Sequence, residues 1–235
     1  MANAVDVGVT AFVVPGVTES GWPAVHSLCS SSTRCFAGYG LHPCYFDAHT
    51  DGCLLRLDQW LDAHAAVAVG ECGLDYYLNE PETQPQQLAL FDGQIDMAAS
   101  RRLPLIVHAR KAVDQVTQRL RRRDLSGGVI HSFSGSWQQA CKLIDLGFHL
   151  GIGGAVTHDR AKKLQSIVRR LPDDAWVLET DAPDQPGAGH QGERNEPAYL
   201  VEVADRVATL RDKSVDDIVQ QSRINTLALF DLPGE

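Results

Sequence analysis

Short, β-rich apolar runs recur along the chain at Ala11 to Pro15, Phe36 to Leu41, Ala66 to Gly70, Pro104 to His108, Val129 to Phe133, Phe148 to Gly151 and Trp176 to Thr180. Between them stand segments with apolar residues at helical spacing behind polar caps. Thr83 stands three residues before Gln86, ahead of Leu88, Phe91, Ile95 and Ala98; Ser136 stands three before Gln139, ahead of Cys141 and Ile144. Successive runs end about 20 to 38 residues apart, room for one strand and its crossover helix each. After the seventh run a Gly/Pro loop, Ala182 to Pro197, leads into two amphipathic helices. One carries Leu200, Ala204, Val207 and Ala208; the other runs from Ser214, capped with Asp217, to Phe230.

Strand and helix alternate, which predicts an α/β fold of the TIM-type (β/α) barrel. A closed barrel needs eight strands. A doubly wound sheet would begin with a phosphate-binding glycine turn after its first strand, and Pro15-Gly16-Val17-Thr18 is not one. Seven recognisable strands therefore predict a barrel incomplete by its first strand, with Met1 to Val9 as the tail of the first helix. With no linker or low-complexity tract, residues 1–235 are expected to form a single domain.

Composition narrows the class. The 235 residues are 44% hydrophobic and 22% charged, enough apolar content for an ordinary globular core and too much for disorder. Stretches such as Ala65 to Val69 and Leu103 to Val107 fall far short of the roughly 18 residues of a membrane helix. Met1 to Gly16 has an acidic Asp6 and no Lys or Arg, so it lacks the charged start of a secretory signal. The six cysteines show no C-x-x-C pair and are expected to be reduced thiols in a cytoplasmic protein. A net charge of −9 argues against a strong duplex-binding basic surface, so a phosphate-bearing substrate would need a local basic pocket.

The candidate chemistry lies at the strand ends, where barrel active sites are built. His42, Glu71, His108, His131 and Asp181 each lie at or near the end of a run. One histidine at a strand end is ordinarily structural, but three imidazoles and two carboxylates in register match the donors of Zn, Mn or Mg hydrolytic centres. His42 would either contact a phosphate or fix the Gly40 to Pro43 turn. Asp75 is expected to hold the loop after Glu71, or a ligand histidine. Arg110, Lys111 and Arg194 are the phosphate-contact candidates. Arg119, Arg121, Arg122 and Arg123 end a helix and are expected to be structural. Asn195 and Glu196 read as an Asn cap with Pro197 in the first turn. Cys72 is expected to face away from the pocket, and Cys44 is not expected to bind metal.

The blocks GLHP (40–43), GECGLDYY (70–77), PLIVHAR (104–110), IHSFSGS (130–136), LETDAP (178–183) and RNEP (194–197), in this order and spacing, resemble the TatD family of metal-dependent hydrolases. The resemblance runs from about Gly8 to Phe230. It implies a TIM barrel with a binuclear metal centre that hydrolyses phosphodiesters, typically as a deoxyribonuclease. By the same resemblance Glu71 matches the carboxylate bridging both metals, His108 and His131 match ligands of the second metal, and Asp181 matches a ligand of the first. The family's Asp-x-His-x-His first strand has no counterpart, because no H-x-H occurs in the sequence. The expectation is thus one or two divalent ions, Mg, Mn or Zn, with Asp181 free to act as general base if only one is held. DNA or a small phosphodiester is the expected substrate. Two other readings stay open: an amidohydrolase-type amide or ester hydrolase, and a non-catalytic ligand-binding remnant. A two-His, one-carboxylate iron oxygenase shares three donors, but the other motifs lend it no support.

Overall fold

The structure, a computed structural model, describes residues 1–77 and 81–234. In chain order its regular elements are α1 (Ala2–Asp6), β1 (Phe12–Gly16), α2 (Trp22–Ser30), β2 (Cys35–Tyr39), α3 (Cys53–Ala63), β3 (Ala68–Asp75), α4 (Gln84–Arg101), β4 (Leu105–Arg110) and α5 (Val113–Leu120). They continue with β5 (Gly128–Ile130), α6 (Trp137–Ile144), β6 (Phe148–Ile152), α7 (Lys162–Val168), β7 (Trp176–Leu178), α8 (Leu200–Arg211) and α9 (Val215–Leu229). Seven strands among the described residues, alternating with helices, make an α/β protein, and each falls on one of the seven apolar runs. No helix among these residues is long and apolar enough to cross a membrane. The chain packs as two compact units, Ala11–Ile130 and Met1–Thr10 with His131–Glu235.

In the Ala11–Ile130 unit β1 to β5 pair in parallel, each with the next. Trp22, Ala37, Tyr39, Leu41, Cys53 and Leu57 form a buried cluster against this sheet. The Trp22 indole N–H donates to Gly40 O at 3.0 Å, pinning the exit of β2. Strand β3 runs five residues past Gly70, the expected end of that run. The charged Glu71 and Asp75 and the two glycines read as loop signals, yet Cys72 to Asp75 pair with Val107 to Arg110 beyond a register shift, and all eight β3 residues are buried.

Helix α4 buries Phe91, Ile95 and Ala98, while Leu88 is only half-buried. Its buried face also carries two glutamines at i and i+7. Gln94 accepts from Leu41 N at 2.8 Å and donates to Leu41 O at 3.2 Å; Gln87 accepts from Asp75 N at 2.9 Å and donates to Asp75 O at 3.2 Å. Both amides grip backbone N–H and C=O groups at the exits of β2 and β3. Gln94→Leu keeps the volume and orphans both Leu41 groups, so it is expected to destabilise the chain by about 2–3 kcal/mol. A urea midpoint unchanged from the parent would refute this.

Not every expected cap forms. Thr83 has helical φ/ψ because a short 3-10 turn runs straight into α4, and its hydroxyl takes the Gln87 amide instead of capping. At the end of α5, Arg119 pairs with Asp92 at 3.0 Å and Arg123 with Asp96, the structural role expected of that cluster.

In the other unit β6 and β7 pair in parallel. Ser136 and Gln139 make the complete capping box at the start of α6, and Ser214 caps α9 through Asp217 N. Helix α9 repeats the device of α4: Asn225 donates to Asp173 O and Trp176 O, both at 2.7 Å, and Ser222 accepts from Leu178 N at 2.9 Å. Asn195 does not cap α8, because a 3-10 turn, Pro197–Tyr199, intervenes; its amide ties the preceding loop by donating to Asp184 O at 2.7 Å. Helix α1 occupies the expected Met1 to Val9 segment, with Ala4 buried.

Candidate metal centre

In the Ala11–Ile130 unit, the ends of β2 and β4 and the body of β3 bring together His42, Glu71, Asp75 and His108. His42 follows the Leu41 that Gln94 grips, and its own N–H donates to Val17 O at 2.9 Å. Its Nδ1 accepts from Cys44 N at 3.1 Å, capping the turn at Pro43, which leaves Nε2 facing Glu71 Oε1 at 3.2 Å. His42 therefore fixes its turn and reaches a candidate ligand at once. The same Glu71 oxygen lies 3.4 Å from His108 Nδ1, and His108 Nε2 lies 2.8 Å from Asp75 Oδ2. Asp75 also accepts from Tyr77 N at 2.8 Å, so it holds both the loop and the histidine.

These groups shift one another. Burial disfavours charge on His108, but its bonds to Asp75, Cys44 and Glu71 outweigh it and push the imidazole up to about 11. Burial likewise opposes ionisation of Asp75, yet His108, Tyr77 N and Cys44 bring it down to about 2. For His42, too, burial works against charge, and the Cys44 and Glu71 contacts reverse the balance upward. Two buried carboxylates thus flank one imidazole.

The second unit repeats the arrangement. His131 Nδ1 lies 2.9 Å from Glu179 Oε2 and its Nε2 lies 2.8 Å from Asp181 Oδ1. Glu179 also accepts from Ser132 N at 2.6 Å, and the other Asp181 oxygen accepts from Gln185. In each unit one carboxylate holds the far nitrogen of an imidazole and a second carboxylate stands at the near nitrogen, the way metal-bound histidines are oriented. The oxygen and nitrogen donors of both sets fit a divalent ion.

A family model for TatD related DNases matches residues 1–231. The chain belongs to this family. It is 38% identical over 236 residues to YjjV of Escherichia coli K12, described as an uncharacterized metal-dependent hydrolase, covering 99% of this chain and 91% of that protein. YabD of Bacillus subtilis, described in the same words, is 34% identical over 83% of this chain and 77% of its own length. The crystal structure of the E. coli TatD homologue YjjV superposes with a TM-score of 0.94 at 37% identity, over 99% of this chain and 90% of that one. An uncharacterized amidohydrolase from Saccharomyces cerevisiae shares the fold at a TM-score of 0.81 and 20% identity. The architecture is thus the TIM-type α/β fold of the TatD family.

Of the residues singled out in this TatD-family sequence, Glu71 and His108 meet in one unit and His131 and Asp181 in the other. Arg110 is exposed with its guanidinium 3.6 Å from the Tyr77 ring centre, and Arg194 is exposed. Cys72 is buried, with Sγ 3.6 Å from Ile106 O.

Two participants escaped the sequence reading. Glu179 was legible in principle, since residues two apart on a strand-like segment share a face and Asp181 had already been singled out. Cys44, set aside as a ligand, donates through Sγ to Asp75 Oδ2 at 3.2 Å. Its proximity comes from the turn that His42 caps. Glu179→Gln is expected to keep the fold and to lower metal affinity about 10- to 100-fold, as loss of an orienting partner does. Calorimetry with Mn2+ checks this, and unchanged affinity would mean that Glu179 serves only Ser132.

Proposed function

We propose that residues 1–235 form one divalent-metal-dependent hydrolase that cleaves phosphodiester bonds, with DNA or a small phosphodiester as substrate. The observation that carries this reading is the pair of carboxylate–imidazole–carboxylate arrays, Asp75–His108–Glu71 and Glu179–His131–Asp181, each on residues of the family's motifs. The family's description as DNases supports the phosphodiester substrate.

Glu71, His108, His131 and Asp181 are the residues that would hold metal. A bound divalent ion would supply Lewis-acid polarisation of a phosphoryl oxygen. Glu71 is kept in place by His42 Nε2, and Asp75 keeps His108 Nδ1 turned toward Glu71. Where it does not hold metal, Asp181 would accept the proton of the attacking water as general base. Arg110, with His42, is the phosphate-contact candidate of the Ala11–Ile130 unit and Arg194 that of the other; a guanidinium can bind phosphate oxygens in a bidentate fork.

The decisive experiment offers DNA, bis(p-nitrophenyl) phosphate, an amide and a carboxylic ester to the protein with Mg2+, Mn2+ or Zn2+. Metal-dependent turnover of the first two supports the proposal; turnover of amide or ester alone, or metal retention without turnover, overturns it. Because no H-x-H occurs in the sequence, at most one ion is expected to stay on each molecule after dialysis. Adding a strand that ends in Asp-x-His-x-His should raise this to two. Two tightly held ions on the 235-residue protein would show that other residues replace the imidazole pair.

A further inference from the structure

We propose that Cys44, together with a ring nitrogen each of His42 and His108, forms a thiolate-containing site selective for zinc-like divalent ions. The three donor atoms lie within 4.8 Å of one another. A four-coordinate ion with bonds of about 2.0 to 2.3 Å spaces its donors by roughly 3.3 to 3.8 Å, so a closure of at most about 1.5 Å completes the set. That movement falls to Cys44, which is exposed, whereas the His42 residue is buried and the His108 side chain is held from both sides by Glu71 and Asp75. The exposed thiol also marks the entry path from solvent. On loading, the thiol and the His108 imidazolium each release a proton to solvent, sulfur and the freed ring nitrogen bond to the ion, and the Sγ–Asp75 hydrogen bond is given up.

The donor chemistry decides the ion. Two imidazoles and a sulfur favour Zn2+, Co2+ and Cd2+ and disfavour Mg2+, which takes oxygen donors. The site shares His108 with the hydrolytic set, so an ion held with Cys44 takes a ring nitrogen from that set. Zinc-like ions at this position therefore compete with hydrolysis supported by Mg2+. The coordination itself stands apart from the proposed hydrolase activity, because it is read from the metal's spectrum.

The test is a Co2+ titration of the chelator-stripped full-length protein, followed by near-ultraviolet absorption. A thiolate-to-cobalt charge-transfer band that Zn2+ bleaches and Mg2+ does not is expected. Cys44→Ser and Cys44→Ala should abolish the band, Cys141→Ser should retain it, and His42→Ala should weaken Co2+ binding on the order of 100-fold. Circular dichroism confirms that the variants fold. Cobalt bound without the band, or a band that survives Cys44→Ala, overturns this site while leaving the hydrolytic metal reading intact. Failure to bind any divalent ion overturns both.

Discussion

Glu71→Gln is expected to abolish retention of divalent metal and to cut metal-supported phosphodiester hydrolysis by about three orders of magnitude, roughly 4 kcal/mol of transition-state stabilisation. Glu71 is buried, and one of its oxygens faces both His42 Nε2 at 3.2 Å and His108 Nδ1 at 3.4 Å. The amide keeps the shape and loses the charge, so the substitution tests the donor rather than the packing. Asp75 still holds His108, and the fold is expected to survive. Elemental analysis after dialysis, with kcat/KM on bis(p-nitrophenyl) phosphate, reads the outcome. A variant that keeps its metal and loses less than tenfold in activity would remove Glu71 from the centre.

Gly73→Ala should be among the most damaging single-methyl additions to the fold, costing about 4 kcal/mol or more. Gly73 has φ of +135°, a region that side chains other than glycine's rarely enter. It pairs directly with His108 across β3 and β4. A Cβ there would collide with the His108 carbonyl oxygen and come within 3.0 Å of the carbonyl carbon and the amide nitrogen of the same residue. Relief requires moving either strand, and both carry candidate ligands. Total stabilities of domains are about 5–15 kcal/mol, so the variant is expected to fold poorly and, where it folds, to bind metal weakly. Denaturant unfolding and metal content measure the two effects. A urea midpoint within error of the parent would contradict the close packing of these strands.

The apolar runs located the seven strands of the described residues because strands such as β4 and β5, covered on both faces, are apolar along most of their length. The same logic misjudged β3, whose buried Glu71 and Asp75 look like loop residues until their imidazole partners are known. Nothing in the local pattern distinguishes such carboxylates from solvated ones, since His108 lies 33 residues beyond Asp75. The glutamines of α4 were equally hidden: at i and i+7 they interrupt an apolar face, and only the backbone groups of Leu41 and Asp75 that they bind explain them.

Sequence alone determined the order of strands and helices and the α/β class, and it singled out Glu71, His108, His131 and Asp181 as candidate donors, because periodicity and motif are properties of neighbouring residues. Tertiary structure decided which atoms meet. It turned one nitrogen of His108 to Glu71 and the other to Asp75, set His131 between Glu179 and Asp181, and brought Cys44 beside both His42 and His108. Those pairings depend on strand register and on which backbone groups are left for a side chain to satisfy, and both exist only once the strands are aligned.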